Sequence, residues 1–91
     1  MAHKLHLSIK ATNGASWETD EFGPNQRVEH VRQAAERHFI KAGEMAAGDY
    51  VLALVADGTT HDLVDAQKLE DAGVTDGSVL VLKVRGPQVD G

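Results

Sequence analysis

The residues with the clearest chemical potential are the last seven, Arg85, Gly86, Pro87, Gln88, Val89, Asp90 and Gly91. A glycine carboxylate has no side chain beside it, so it can thread a narrow enzyme channel and be adenylated or attacked without steric obstruction. The plainer reading is a frayed terminus in a chain with nine glycines. Other reactive types are scattered. His3, His6, His30, His38 and His61 include no i, i+4 pair, whereas a zinc site needs three or four convergent ligands. Solvent-facing histidines and no metal site are expected. The acidic run Glu18, Asp20, Glu21 lacks the opposing cleft that paired-carboxylate catalysis requires, and reads as a solvated strand edge that discourages aggregation. There is no Gly-rich phosphate loop, nucleophile elbow or basic-aromatic surface. The chain is not expected to be an enzyme, and no bound cofactor is expected.

Composition narrows the setting. Ninety-one residues, 42% hydrophobic and 25% charged, suit one domain with a single modest core. The absence of cysteine removes disulfides, thiolate metal sites and a cysteine nucleophile, and fits a reducing compartment. The N-terminal residues hold no apolar run long enough for a signal peptide or membrane span, so a cytoplasmic location without membrane partners is expected. A net charge of −5 argues against nucleic-acid binding, because phosphate neutralisation needs a cationic surface.

The elements follow from periodicity. Residues 4–10 alternate, with Leu5, Leu7 and Ile9 on one side, as a half-buried strand does. Asn13-Gly14 signals a hairpin turn with positive φ at both positions. Residues 16–22 return as a second strand, and a bulge near Asp20 would place Trp17 and Phe22 on one face. Asn25 is the expected N-cap of a helix carrying Val28, Val31, Ala35, His38/Phe39 and Ala42 at helical spacing, with Gly43 as its C′ residue. Residues 50–55 read as a nearly apolar strand, 56–59 as its turn and 60–64 as a short strand. A brief helical or 3₁₀ turn covers 68–72, and residues 78–84 form a final strand in the middle of the sheet. The predicted architecture is α+β: a mixed four- to five-stranded sheet with one main helix packed across one face. The first and last strands lie side by side at its centre.

This layout resembles the ubiquitin-like β-grasp family, most closely its bacterial modifiers, over residues 5–85. The resemblance is carried by Lys68-Leu69-Glu70-Asp71-Ala72-Gly73-Val74 leading into Asp76-Gly77-Ser78-Val79-Leu80-Val81. The helix start, with Val28 and Val31, and the approach Leu82-Lys83-Val84-Arg85-Gly86 are similar too. The chain departs from the family in ending Asp90-Gly91 rather than Gly-Gly, and in Pro87 within the tail. The resemblance implies a domain over residues 1–85, a flexible tail over 86–91, and conjugation through Gly91. Arg85, Gly86, Pro87, Gln88, Val89 and Asp90 would be held by an activating enzyme that uses ATP. Implied partners are adenylating, conjugating and deconjugating (metalloprotease) enzymes. The internal amines for chain formation are Lys4, Lys10, Lys41, Lys68 and Lys83. A sulfur carrier of the same fold, with a thiocarboxylate at Gly91, is one alternative.

One helix covers one sheet face, so the other must be open. With Leu5, Leu7, Ile9, Val79 and Val81 assigned to the helix side, Leu80 and Leu82 face outward, since the strand period is two. They would join Val51, Ala53 and His6 in an apolar partner-binding face. The second alternative function is a non-covalent adaptor or secretion-system subunit acting through that face.

Overall fold

The computed structural model describes residues 4–85; His3 and the tail residues 86–91 lie outside them. Chain order is β1 (Leu5–Lys10), β2 (Ser16–Phe22), α1 (Val28–Lys41), β3 (Tyr50–Ala56), β4 (Thr59–Asp62) and β5 (Val79–Val84). The strands form one sheet in the order β2-β1-β5-β3-β4. β1 and β5 are parallel neighbours, and the remaining pairs are antiparallel. The core lies between the sheet and α1, which buries Val28, Val31, Ala35 and Phe39 against Leu5, Leu7, Ile9, Leu52 and Leu80.

The bulge in β2 is where the sequence places it. Leu5 pairs with Phe22 but Leu7 with Thr19, so His6 is opposed by two residues, Asp20 and Glu21. The extra residue turns both Trp17 and Phe22 to the helix side, where Phe22 is buried and Trp17 packs on the core's margin. Thr19 is buried with them, and its Oγ1 accepts a hydrogen bond from the Glu21 N–H.

Both hairpin turns differ in type from expectation or from each other. At the β1–β2 turn only Gly14 has positive φ (93°); the Gly14 N–H donates to the Ala11 carbonyl and the Asn13 Oδ1 accepts from the Ala15 N–H. That is a three-residue loop with glycine in the left-handed position, not the two-residue turn that Asn-Gly suggests. The tight turn with both residues at positive φ is at Asp57 (53°) and Gly58 (79°), where Ala56 pairs directly with Thr59.

The two ends of the helix are closed differently. Gly43 (φ 76°) is the C′ residue: its N–H donates to the Ile40 carbonyl and that of Glu44 to the Phe39 carbonyl, satisfying two carbonyls of the last turn. Asn25 is not the N-cap. That position is Arg27, which makes no side-chain capping bond. The Val28 and Glu29 N–H groups instead donate to the backbone carbonyls of Gln67 and Asp65. The same segment returns the Leu69 and Glu70 N–H groups to the Gln26 and Pro24 carbonyls. A strand-like clasp therefore replaces the polar cap and fixes the loop that leads to β5.

Residues 68–74 form consecutive hydrogen-bonded turns anchored by the buried Leu69 and Val74. No helix among the described residues is long and apolar enough to cross a membrane.

Candidate functional site

The register of β5 decides which side chains the open face presents. Leu80 pairs with Ile9 on one side and Leu54 on the other, and Leu82 pairs with Leu52. All of these look toward α1. Leu80 has no exposed surface and Leu82 only 2%. The expectation that Leu80 and Leu82 line an exposed patch is therefore corrected: they are core residues. Val79 and Val81, assigned to the core from the sequence, lie on the open side, half-buried, beside Ser8, Lys10, Val55 and Ala53.

One residue could have settled the phase. Lys83 shares a strand face with Val79 and Val81, and an ammonium does not belong under the helix. In the structure Lys83 Nζ reaches across β3 to Asp62 Oδ1 at 2.9 Å. Lys83 pairs with Val51 and Asp62 with Ala53, so this ion pair bridges diagonally beside Ala53. Ala53 has no exposed surface, although it faces away from α1. Of the sequence-predicted face, His6 is exposed, Val51 is half-buried and both lie on the open side, while Ala53 is covered.

The resulting surface is a strip of four half-buried valines, Val51, Val55, Val79 and Val81, between two ion pairs. Lys83–Asp62 is on the β4 side. On the β2 side, His6 Nε2 lies 3.0 Å from Glu18 Oε1. Both pairs are well exposed, so each contributes little to stability and can be remade with a partner's charges. Val55, Val79 and Val81 lie outside the predicted binding set; for Val79 and Val81 the missed signal is the alternation that Lys83 fixes in β5.

The tail's root is the other candidate. The Arg85 N–H donates to the Asp49 carbonyl at 2.9 Å, and its guanidinium Nε is 3.5 Å from Asp49 Oδ2. The chain thus leaves the described domain from its central region of sheet, at a residue tied by backbone and side chain. Gly86, Pro87, Gln88, Val89, Asp90 and Gly91 lie outside the described residues.

Among the described residues no group of three or more His, Asp or Glu converges in a way that would hold a metal ion. His38 stacks on Trp17, and His61 Nε2 lies 3.2 Å from Thr59 Oγ1.

No protein-family model matches the sequence, and no curated protein matches it. Solved structures do. The chain is similar to a protein designed de novo on ubiquitin, at 20% identity, with 98% of each chain covered and a TM-score of 0.70. It is similar to the C-terminal ubiquitin-like domain of mouse tubulin-specific chaperone e, at 20% identity over 98% of this chain and 94% of that one, TM-score 0.70. It is also similar to a Caldiarchaeum subterraneum ubiquitin, at 24% identity over 94% and 99%, TM-score 0.64. At these identities the likeness defines the fold alone: one helix on a five-stranded mixed sheet, the ubiquitin-like β-grasp.

Proposed function

We infer that the chain is a ubiquitin-like modifier acting through the carboxylate of Gly91. The observation that carries this reading is the hold of Arg85 on Asp49 just beyond β5, ahead of the segment Gly86-Pro87-Gln88-Val89-Asp90-Gly91. Six residues can reach at most about 20 Å from that anchor, enough to enter a partner's active site while the domain stays outside it. The likeness in fold to the Caldiarchaeum subterraneum ubiquitin supports the same reading.

In this function the Gly91 carboxylate attacks the α-phosphorus of ATP on an activating enzyme, forming an acyl adenylate and releasing pyrophosphate. An enzyme cysteine thiolate then displaces AMP to give a thioester. A target amine finally displaces the thiolate and forms an isopeptide bond. The domain supplies no catalytic group; nucleotide and thiol belong to the partners, and a metalloprotease would reverse the linkage. Cytoplasm is the compartment that suits this chemistry.

The test is intact mass of the full chain and of a form lacking Gly91, each incubated with ATP, magnesium and a candidate adenylating enzyme. An adenylate or thioester that requires Gly91 supports the proposal. No adduct with an enzyme shown to be active on another substrate overturns it. A thiocarboxylate formed with a sulfur donor, and no isopeptide product, converts the reading to that of a sulfur carrier.

The half-buried valine strip favours a second reading, a non-covalent binding module using the open face. Partner capture that survives loss of Gly91 but is abolished by Val81→Asp would establish it.

A further inference from the structure

The chain has two asparagines, and their settings invite comparison. Asn13 precedes Gly14 in the β1–β2 loop, and Asn25 precedes Gln26 in the turn before α1. The backbone at the two sites is nearly matched. The Gly14 N–H donates to the Ala11 carbonyl at 3.1 Å, and the Gln26 N–H to the Gly23 carbonyl at the same distance. Both asparagines are exposed. What surrounds the carboxamide differs. Asn13 Oδ1 accepts from the Ala15 N–H at 2.9 Å, which folds the side chain back along the loop and polarises its carbonyl. Among the described residues Asn25 makes no such bond; the Gln26 side chain curls back instead, its Oε1 accepting from the Gly23 N–H at 3.2 Å. Gly14 carries no side chain, and a Cβ added there would meet nothing within 4 Å, so the loop tip stands clear of the domain.

We propose that Asn13 is a site of spontaneous deamidation through a succinimide, and that the isoaspartyl product unties the β1–β2 loop. The Gly14 amide nitrogen loses its proton to solvent base and attacks Asn13 Cγ. The Cγ–Nδ2 bond breaks, and the nitrogen leaves as ammonia with a proton taken from water. Water then opens the five-membered ring at either carbonyl. Breaking the bond from the Gly14 nitrogen to Cγ gives aspartate in an ordinary backbone. Breaking the bond to the main-chain carbonyl carbon gives isoaspartate, whose chain continues through Cβ and Cγ. The net reaction consumes one water and releases one ammonia, with no change of oxidation state.

Ring closure is intramolecular, so the reacting groups are already held near each other. The two hydrogen bonds at the loop act in opposite senses. The Ala15 N–H draws electrons from Asn13 Cγ and favours attack, whereas the Ala11 carbonyl holds the proton that Gly14 must lose. Only the second bond has to open, which slows the reaction by about fivefold, the worth of one such bond. An asparagine released only by global unfolding would be slowed by roughly a thousandfold or more. Asn25 lacks the polarising donor, and its attacking nitrogen would belong to a residue with a long side chain. The products differ in what they do to the hairpin. Aspartate keeps an oxygen for the Ala15 N–H. Isoaspartate adds one atom to the main chain inside a three-residue loop, so the bonds from Gly14 to Ala11 and from Ala15 to residue 13 cannot both persist. The loop is rooted on Ala11 and Ala15, joined by a 2.7 Å bond and packed on the core, so the damage is confined to its tip. This inference is independent of conjugation through Gly91.

The full chain is aged in mildly alkaline buffer, with and without denaturing urea, and followed by intact mass. The tryptic peptide 11–27 carries both asparagines, so its fragment masses assign the converted residue, and its aspartyl and isoaspartyl forms separate by chromatography. Asn13 is expected to convert in the folded chain within about fivefold of its rate in urea, giving both products, while Asn25 lags. Asn13→Gln, which would have to close a six-membered ring, is expected to abolish the rapid mass gain. Exchange of the Gly14 and Ala15 N–H groups is expected to stay slow in Asn13→Asp and to become fast in the purified isoaspartyl form. The proposal is overturned if Asn13 is unchanged in the folded chain once the urea sample has converted. It is equally overturned if Asn25 converts as fast, or if aspartate is the sole product. An isoaspartyl form that keeps native protection at both amides would overturn it too, as would a mass gain undiminished in Asn13→Gln.

Discussion

Arg32 grips Asp65 through two parallel hydrogen bonds, Nε to Oδ1 and Nη2 to Oδ2, each 3.0 Å, so α1 is riveted to the loop whose carbonyls cap it. Arg32 also donates to Glu36 one turn along, which makes a three-residue network at the helix–loop junction. The Asp65 bond, aided by Glu36 and opposed by partial burial, raises the Arg32 pKa above arginine's ordinary range. A raised cationic group contributes its stability fully below its unfolded pKa and loses it only as pH rises through the folded value. Melting curves between about pH 6 and 10 should therefore show no loss from Arg32 titrating. Asp65→Ala should cost about 1–2 kcal/mol in urea unfolding, since it removes a fork-shaped pair from a mostly covered guanidinium whose partner is itself partly wet. Amide exchange at Val28 and Glu29 should quicken, because their acceptors sit on the released loop.

The phase of β5 makes a sharp pair of expectations. Leu80 has no exposed surface and lies between Ile9 and Leu54, so Leu80→Ala should cost about 2–5 kcal/mol. Leu80→Asp should unfold the domain and so reports nothing about partner binding. Its neighbour Val81 lies on the open side, and Val81→Thr should change stability by about 1 kcal/mol or less. Equal costs at the two positions would mean that the strand faces are reversed.

That pair also shows where the sequence is ambiguous. The helix could be read from Val28, Val31, Ala35 and Phe39, because an apolar stripe at one spacing has one solution. The bulge could be read from Trp17 and Phe22, because two aromatics on a short strand both need cover. Val79 to Leu82 has no polar member, and a one-residue shift of phase leaves an equally apolar pattern, so only Lys83 distinguishes the faces. The N-cap was out of reach for another reason. The acceptors for Val28 and Glu29 are backbone carbonyls some forty residues away, which leave no side-chain signature. Asn13-Gly14 misled because loop length, not the dipeptide, sets turn type. The two-residue gap is at Asp57-Gly58.

Two glycines should behave alike for different structural reasons. Gly43 and Gly58 both have positive φ, 76° and 79°, and a Cβ added at either would meet nothing within 4 Å. Substitution by alanine therefore strains the backbone without a clash, at about 1 kcal/mol each. Gly43→Ala should be felt as fraying at the end of α1, visible as faster exchange at Gly43 and Glu44. Gly58→Ala should loosen the β3–β4 hairpin, with the change confined to Thr59–Asp62.

The stack of Trp17 on His38 supplies a test of the bulge itself. The rings are 4.5 Å apart and only 11° from parallel, and His38 in turn meets Phe39 edge-on at 5.2 Å. Trp17 can reach His38 because it faces α1, and Phe22 faces α1 as well only because two residues of β2 oppose His6. His38→Ala should remove about 0.5–1.5 kcal/mol and shift the emission of the chain's one tryptophan to the red, as its face becomes wetted. Deleting Glu21 to erase the bulge should cost far more. A regular register would turn either Phe22 or the Trp17–Thr19 pair to solvent, so one aromatic must leave the core side. The deletion should lose cooperative unfolding or show a strongly red-shifted Trp17. A variant that keeps both the wild-type emission and the wild-type melting temperature would show that the extra residue in β2 does not hold the two aromatics on one face.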